Sequence, residues 1–507
     1  MTSSRAGRLS IPIAAAGIAF LLHLAGNPHY GFFRDELYFI VCGQHPQWGY
    51  VDQPPVAPLL AAGSQIFGHS LVLLRAVPAF FAAGGVYVTC ELAVEFGGAA
   101  FAQILAAMTA FFAPVLMNFG MKVSPDMVGL WLWPLLTLYV VRLAGGADPR
   151  WWLAAGAILG ICVQSKYTVV FFAVSLLAGL LLTRERRILF SRWALAGGLV
   201  CALIALPNFL WQAHYGFPQL ELLRNAQQGK NVVVGPLTYL FQQFLITGVL
   251  LACVWIAGLA WLFAKPRLRF LAYTFLALMA MMIFAHAKHY YPADVYPYLM
   301  AAGGVAIEAW TRGRRIIRTA VATAVLLFGI LLVPAGMPVL AEEQMVSYTN
   351  MLMRALRLRR NALATENKPQ TELSSDFADM HGWPELASTV ARVYQSLPPE
   401  ERAQAAIFAN NYGEAAAIDF FGRQYGLPPA ISGHNQYYLW GTHGYTGNVL
   451  IRVGRGSLDA RLFDNYTQAA SFTSPWIQAY EDHLPIIICR GIKKPLAEVW
   501  PRVKAYK

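Results

Sequence analysis

The chain has 507 residues, of which 57% are hydrophobic and 13% are charged, and its mean hydropathy is +0.45. Globular proteins use about twice that share of charged residues, so the composition argues against an ordinary soluble enzyme. A disordered chain is excluded, because disorder needs low hydrophobicity and high charge. The net charge of +12 suits an anionic membrane surface or an anionic substrate. Nucleic acid is not an expected partner, because the arginine clusters fall between apolar runs. The six cysteines show no C-x-x-C spacing, so neither a zinc site nor a disulfide framework is indicated.

Apolar runs recur along the first two thirds of the chain, and a spanning helix needs about 20 such residues. The first run follows Arg5 and Arg8, as in a signal peptide, but many runs come after it, so we expect an uncleaved signal-anchor. The sequence therefore predicts a mainly α fold, a polytopic transmembrane helix bundle of about 11–13 spans. The candidate spans are 9–27, 71–90, 99–116, 127–143, 151–164, 167–183, 193–211, 242–264, 270–286, 292–310 and 318–337.

The basic residues predict the orientation of the bundle. With the N-terminus in the cytoplasm, the arginine-rich segments 184–192, 265–269 and 312–318 all lie inside. This asymmetry satisfies the positive-inside rule. We therefore expect a multi-pass protein of the bacterial cytoplasmic membrane, with a long first outer loop at 28–70 and residues 338–507 facing the periplasm or exterior.

The predicted domains are a transmembrane catalytic domain, 1–337, and an extracytoplasmic α/β domain, 338–507. The second part is richer in polar residues and alternates helix and strand signals. It contains neither a Walker A sequence nor a G-x-G-x-x-G fingerprint. The expected elements are a helix at 414–426 and strands at 405–409, 448–453 and 485–489.

The first outer loop carries adjacent carboxylates, Asp35 and Glu36, and then Asp52 before a proline pair. Aromatic residues surround these acids and are typical of the membrane interface. One interpretation is a solvated interfacial loop whose acids merely face water. The other is a functional site, since ionisable groups at membrane depth are costly to retain.

Further polar residues collect on the same predicted face, at Asp126, in Q-S-K-Y-T at 164–168 and in H-A-K-H-Y-Y-P at 286–292. Singly, a lysine can snorkel and a lone histidine is more often structural. Together, lysines can bind a phosphate as point charges and a carboxylate can act as general base on a hydroxyl. This combination fits a substrate linked to a lipid phosphate.

Several short motifs resemble one enzyme family. They are D-E at 35–36, Y-V-D-Q-P-P at 50–55, Asp126, S-K-Y at 165–167, K-H-Y-Y-P at 288–292, N-Y-G-E-A-A-A at 411–417 and S-G-H-N-Q-Y-Y-L-W-G at 432–441. The pattern resembles the polyprenyl-phosphate-dependent glycosyltransferases of the GT-C superfamily. Within it, the chain is similar to the bacterial protein O-mannosyltransferase-like group, which includes the lipid A aminoarabinose transferase.

The resemblance implies an inverting transfer of a sugar from a polyprenyl-phosphate donor to a hydroxyl of a glycan, lipid or protein. It implies that Asp35 is the catalytic base, that Glu36 belongs to the catalytic acids, and that Asp126 positions the acceptor or the sugar. The donor phosphate would be bound by Lys166, Lys288, Tyr290 and Tyr50. The residues expected to support the site are Asp52, Gln53, Tyr167, His289 and Tyr291.

Two positions depart from the aminoarabinose transferase. Gln53 stands where that enzyme has lysine, and Tyr38 stands where it has arginine. Donor and acceptor therefore do not follow from the resemblance. No cofactor is certain, but a divalent metal is left open, with Asp35, Asp52 and His286 as candidate ligands.

Two other classes of protein remain as alternatives. A transporter or flippase for a lipid-linked sugar or an anion would explain the spans and the basic charge, although transport sites usually lie near the midplane. A sensor or scaffold that binds through its outer domain would leave the first-loop acids without a role.

Overall fold

The computed structural model describes residues 5–369, 371–456 and 458–507. Every predicted span coincides with a helix or with a bent pair of helices. The helices before residue 338 are α1 (Arg5–Gly26), α2 (Arg34–Gln44), α3 (Val56–Ser64), α4 (Leu71–Glu95), α5 (Ala100–Phe112), α6 (Pro114–Met121), α7 (Gly129–Ala144), α8 (Trp151–Val163), α9 (Val169–Leu181), α10 (Arg192–His214), α11 (Pro218–Asn225), α12 (Pro236–Thr247), α13 (Val249–Ala264), α14 (Arg269–Phe284), α15 (Tyr296–Trp310) and α16 (Arg315–Gly336).

Two predicted spans are not continuous helices. The run 99–116 bends by 65° between α5 and α6, where Pro114 cannot donate a backbone hydrogen bond. The run 242–264 is broken by 109° between α12 and α13, at Gly248 with φ of 86°. By length and composition alone, four helices of the described chain can cross a membrane, or six if each bent pair is one span. The protein is thus a multi-pass membrane protein, and the number of about 11–13 spans stays a prediction.

The helices of the bundle pack closely where small residues face each other. α4 contacts α1, α5 and α7, and α13 contacts α15. A Cβ added at Gly258 would lie 1.9 Å from the carbonyl oxygen of Leu299, and one added at Gly303 would lie 1.9 Å from that of Val254. The absence of these side chains lets the backbones of α13 and α15 touch, as is typical of membrane helix pairs.

The C-terminal part is an α/β domain, as predicted. Its sheet has the strand order β2-β1-β3-β5-β4, with β1 parallel to β2 and β3, and β5 antiparallel to β3 and β4. The elements are α17 (Glu342–Ala355), α18 (Ser375–Ala378), α19 (Trp383–Gln395), α20 (Pro399–Arg402), β1 (Ala406–Ala409), α21 (Tyr412–Phe421), β2 (Ala430–Ile431), α22 (Gln436–Trp440), β3 (Val449–Val453), β4 (Phe463–Phe472), β5 (Leu484–Ile492) and α23 (Leu496–Val499).

The three predicted strands correspond to β1, β3 and β5, whereas the ten-residue β4 was not predicted because most of its side chains are exposed. The predicted helix at 414–426 begins earlier, at Tyr412, because Asn411 caps it. The Asn411 side chain accepts from the amides of Gly413 and Glu414, and Glu414 reaches back to the cap. α21 ends at Phe421, and a 3₁₀ turn continues to Tyr425.

The outer domain is seated on the first outer loop. Buried side chains of α2, including Leu37 and Tyr38, belong to the same hydrophobic core as Tyr412 and Tyr437 of the outer domain. The Val51 amide also donates to the side chain of Gln436 at 3.1 Å. This packing brings the start of α2 and the start of α21 together, while the domain boundary at 337/338 stays a prediction.

Candidate active site

Asp35 lies in the first turn of α2, where the helix dipole favours a negative charge. The Tyr412 hydroxyl donates to Asp35 Oδ1 at 2.8 Å, and the Arg34 guanidinium lies 3.4 Å from the same oxygen. The Asp35 side chain is 31% exposed, so its carboxylate is oriented by the protein and still open to a substrate. The partner from the outer domain is 377 residues away in sequence.

The neighbouring Glu36 is enclosed by the protein, in contrast to the partly exposed Asp35. It is fully buried, forms an ion pair with Arg75 at 3.0 Å, and also accepts from the amides of Phe33 and Val123. Both carboxylate oxygens are thus occupied by protein donors. The contacts of Glu36 are those of a structural carboxylate that fixes the start of α2, and its catalytic role stays a prediction.

Asp52 links the first outer loop to the outer domain. It accepts from the Tyr38 hydroxyl at 2.9 Å and from the Asn435 side chain at 3.1 Å. Burial raises the pKa of Asp52 to about 6, and the hydrogen bonds from Tyr38 and Asn435 oppose that rise. Tyr38 stands where the related motif has arginine. In this structure its hydroxyl is a hydrogen-bond donor to Asp52.

Three other predicted residues are part of the scaffold. Tyr50 is fully buried and its hydroxyl donates to the carbonyl of Cys42 at 2.8 Å, so it is not presented to a ligand. Gln53 is 2% exposed, and its backbone carbonyl accepts a hydrogen bond from the Tyr50 amide. Tyr167 donates to Asn208 of α10 at 2.6 Å. The side chains of Asn208 and Gln212 in α10 donate to the carbonyls of Trp48 at 2.8 Å and Tyr50 at 3.2 Å, and these bonds hold the first outer loop against α10.

Asp126 and Lys166 form an ion pair with each other. Asp126 lies in the turn before α7, and Lys166 lies between α8 and α9. The Lys166 ammonium also faces the rings of Tyr290 and Tyr291, at 5.2 and 4.6 Å from their centroids. The structure thus joins three of the polar segments that were separate in the sequence.

Asp294 was not predicted and lies close to this pair. It follows the K-H-Y-Y-P segment, is 6% exposed and has a carboxylate oxygen, Oδ1, with no hydrogen-bond partner in the described chain. It lies against the start of α7, where a Cβ on Gly129 would be 2.0 Å from its other oxygen.

Lys288 forms an ion pair with Glu366 at 3.0 Å. Burial lowers the pKa of Lys288, but the charges of Tyr291, Glu366 and Asp35 outweigh it and leave the pKa raised. Asp35 and Lys288 therefore act on each other electrostatically. His289 is buried, its pKa is lowered to about 4 by burial and by Lys288, and its carbonyl accepts from Gln243.

The surroundings of Asp35 contain further charged residues that the sequence analysis did not select. Arg34 bonds to the Tyr480 hydroxyl and lies 3.7 Å from Asp379, which faces the same cluster. Lys122 pairs with Asp376 at 2.9 Å. Tyr412 and Asn435 lie in motifs already noted, N-Y-G-E and S-G-H-N, and could have been selected. Nothing local in the sequence marks Glu366 or its partners Lys230 and Lys368, whereas its third partner, Lys288, was selected.

The proposed metal ligands do not form a site in this structure. Within the described residues, no three His, Cys, Asp or Glu side chains are grouped so that they could hold a metal ion. Asp35, Asp52 and His286 therefore do not fit a metal together, and a divalent metal stays an untested prediction.

The chain is similar to proteins of known family and known structure. Residues 52–211 match the family model described as dolichyl-phosphate-mannose-protein mannosyltransferase. No curated protein matches the sequence. ArnT from Cupriavidus metallidurans bound to undecaprenyl phosphate has a TM-score of 0.60 at 16% identity, covering 96% of this chain and 98% of that chain. Its apo state has a TM-score of 0.61 at 16% identity over the same shares. AglB from Archaeoglobus fulgidus, in complex with an inhibitory peptide and a dolichol-phosphate, has a TM-score of 0.46 at 12% identity, covering 88% and 69%.

The fold is similar to that of ArnT from Cupriavidus metallidurans. This likeness extends over nearly all of the chain, so it includes both the helix bundle and the small α/β domain. The resemblance drawn from the sequence motifs is confirmed at this level.

Proposed function

We propose that this protein is a membrane glycosyltransferase that moves a sugar from a polyprenyl-phosphate donor to an acceptor hydroxyl. The observation that carries the proposal is Asp35, a partly open carboxylate held by Tyr412 beside the basic residues around Lys288. The family match over residues 52–211 and the ArnT-like fold support the same reaction class. The undecaprenyl phosphate bound to ArnT supports a lipid-phosphate donor here.

In the proposed mechanism, Asp35 accepts the proton of the acceptor hydroxyl. The oxygen of that hydroxyl then attacks the anomeric carbon of the sugar, and the bond from this carbon to the phosphate oxygen breaks. Polyprenyl phosphate leaves with the bonding electron pair, and a single displacement inverts the anomeric configuration. Tyr412 orients the Asp35 carboxylate towards the acceptor, so the outer domain supplies part of the active site.

Positive charge near the leaving phosphate should stabilise the transition state, and such electrostatic stabilisation is usually the largest contribution to catalysis. Lys288 is the best-placed candidate, since its side chain is only 16% exposed and its partner Glu366 also pairs with Lys368. Lys368 lies over the ring of Tyr480, whose hydroxyl bonds to Arg34 beside Asp35. Lys166 is paired with Asp126, and we assign this pair, together with Tyr290, to the wall of the site. Glu36 we assign to positioning, because Arg75 and backbone amides occupy its carboxylate.

We further propose that the site faces the exterior of a bacterial cytoplasmic membrane. The positive-inside distribution of arginine supports this orientation. It also agrees with the polar composition of the outer domain, which covers the site from the same side. The acceptor is a hydroxyl of a lipid, glycan or protein.

The decisive experiment compares Asp35→Asn with Asp464→Asn in the full-length protein purified in detergent. Asp464 lies on exposed β4 and serves as a matched control for the loss of one carboxylate. Incubation with a polyprenyl-phosphate sugar and candidate acceptors should release polyprenyl phosphate with the wild type and with D464N, but not with D35N. Full activity of D35N would refute the role of Asp35. A donor that stays intact with every acceptor would favour a transporter or a scaffold.

A further inference from the structure

The segment 362–368, here called the strap, belongs to the predicted outer domain and contacts the helix bundle near α12. Its backbone is held by the loop before α12, since the Val232 amide donates to Thr365 at 3.1 Å and the Asn367 amide donates to Lys230 at 2.8 Å. The side chain of Gln242 donates to the Ala362 carbonyl at 2.9 Å. The strap is thus anchored by main-chain contacts that do not involve the side chain of Glu366.

Three lysines converge on that one side chain. Glu366 lies 3.4 Å from Lys230, 3.0 Å from Lys288 and 2.7 Å from Lys368, measured from ammonium nitrogen to carboxylate oxygen. Burial works against ionisation of Glu366, but the three lysines outweigh it and hold the pKa well below its usual range. The cluster of four side chains therefore carries a net charge of +2.

The three lysines carry more positive charge than the Glu366 carboxylate can neutralise. All four side chains are partly exposed, between 16% and 30%, so solvent reaches the cluster. The Lys368 ammonium lies 4.9 Å from the centroid of the Tyr480 ring, and the Tyr480 hydroxyl bonds to Arg34, which is 3.4 Å from Asp35. These contacts place the cluster next to the proposed base. A phosphate group offers three oxygens and up to two negative charges, and it would satisfy three ammonium groups better than one carboxylate does.

We propose that Lys230, Lys288 and Lys368 form the site for the phosphate group of the lipid carrier, and that Glu366 occupies this site as an internal anion until the phosphate displaces it. This inference rests on the proposed function and adds to it two further phosphate ligands and a competitor built into the chain. Only the Glu366 side chain has to turn away, because the backbone of the strap is fixed independently. After displacement, the carboxylate would repel the phosphate and so help its release once the sugar has been transferred.

The test measures binding of polyprenyl phosphate to the full-length protein in detergent, with Glu366→Gln against the matched control Glu221→Gln. Glu221 also pairs with one lysine, Lys504 at 2.7 Å, but on the exposed surface. If the competing carboxylate leaves about one tenth of the molecules ready to bind, its removal should tighten the dissociation constant about tenfold. E221Q should bind like the wild type, and neutral polyprenol of equal length should bind all variants alike.

Inorganic phosphate, used as a competitor, distinguishes recognition of the phosphate head group from recognition of the lipid tail. Competition in the millimolar range that improves in E366Q would show recognition of phosphate itself, and its absence would show that the lipid is also required. Lys368→Gln is the second variant, because it leaves the strap backbone intact. It should weaken binding of polyprenyl phosphate but not of polyprenol, whereas a purely structural lysine would change neither.

An affinity of E366Q equal to or weaker than that of the wild type, at unchanged thermal stability, would overturn the inference. If sugar transfer persists in that case, the proposed function stands without this role for Glu366. If E366Q gains affinity for phosphate but no variant transfers sugar, the anion site stands and the proposed function fails. If neither form binds polyprenyl phosphate, both fail.

Discussion

Replacement of Tyr412 by Phe tests whether the outer domain contributes to catalysis. The change removes the single hydroxyl that donates to Asp35 at 2.8 Å. It keeps the ring, which packs against Tyr38 at 4.6 Å between centroids and lies under the Arg34 guanidinium at 5.1 Å. The variant should therefore fold normally and lose one contact to the proposed base.

The size of the effect follows from the type of bond. A hydrogen bond to a charged group contributes about 1.5–3 kcal/mol, and about 1.4 kcal/mol corresponds to a tenfold change in rate. Because Asp35 is 31% exposed, water can partly replace the lost donor, so the lower end applies. We expect kcat to fall about tenfold, with little change in KM for the donor and almost no change in thermal stability.

Tyr437→Phe is the matched control for this experiment. The Tyr437 hydroxyl donates to a half-buried carboxylate, Asp419, at 2.7 Å in the same domain, and this bond does not involve Asp35. Y437F should lower the unfolding temperature, since Asp419 loses the Tyr437 hydroxyl and keeps the Ala430 amide as a donor, and should preserve kcat. A wild-type kcat for Y412F, or an equal loss of kcat in Y437F, would refute the reasoning.

Three further predictions concern stability, each measured by thermal unfolding of the full-length protein. Glu36→Gln leaves the buried guanidinium of Arg75 without its counter-charge, and should cost about 3–5 kcal/mol; an unchanged midpoint would contradict the structural role of Glu36. Gly197→Ala should destabilise the α8–α10 contact, because the added Cβ would lie 2.2 Å from a carbonyl oxygen of α8, whereas Gly198→Ala meets open space and should be neutral. Burial raises the pKa of Asp52 to about 6, above the ordinary value near 4, so its contribution to stability is full below about pH 4 and is lost as the pH rises through 6. Asp52→Asn should therefore reduce the change in the free energy of unfolding between these pH values. An identical pH dependence in the wild type and the variant would count against this assignment.

The sequence by itself determined the helices and the polar segments between them. Apolar periodicity is a local signal, so every predicted span corresponds to a helix or to a bent pair. Local signals also existed for the two breaks, Pro114 and Gly248, but the angles of 65° and 109° depend on what each half packs against. The motifs likewise identified Asp35, Asp126, Lys166 and Lys288 as residues that do not belong in lipid.

Only the tertiary structure decided what each of these residues contacts. Asp35 and Glu36 are adjacent and chemically alike, yet one faces an open site and the other a buried arginine, because successive residues of a helix point in different directions. The contact between Asp35 and Tyr412 joins residues 377 positions apart, and it exists because the outer domain shares a core with α2. Glu366 has no motif around it at all. Its proposed role depends on three lysines that the fold brings to one carboxylate. No local sequence pattern predicts that contact.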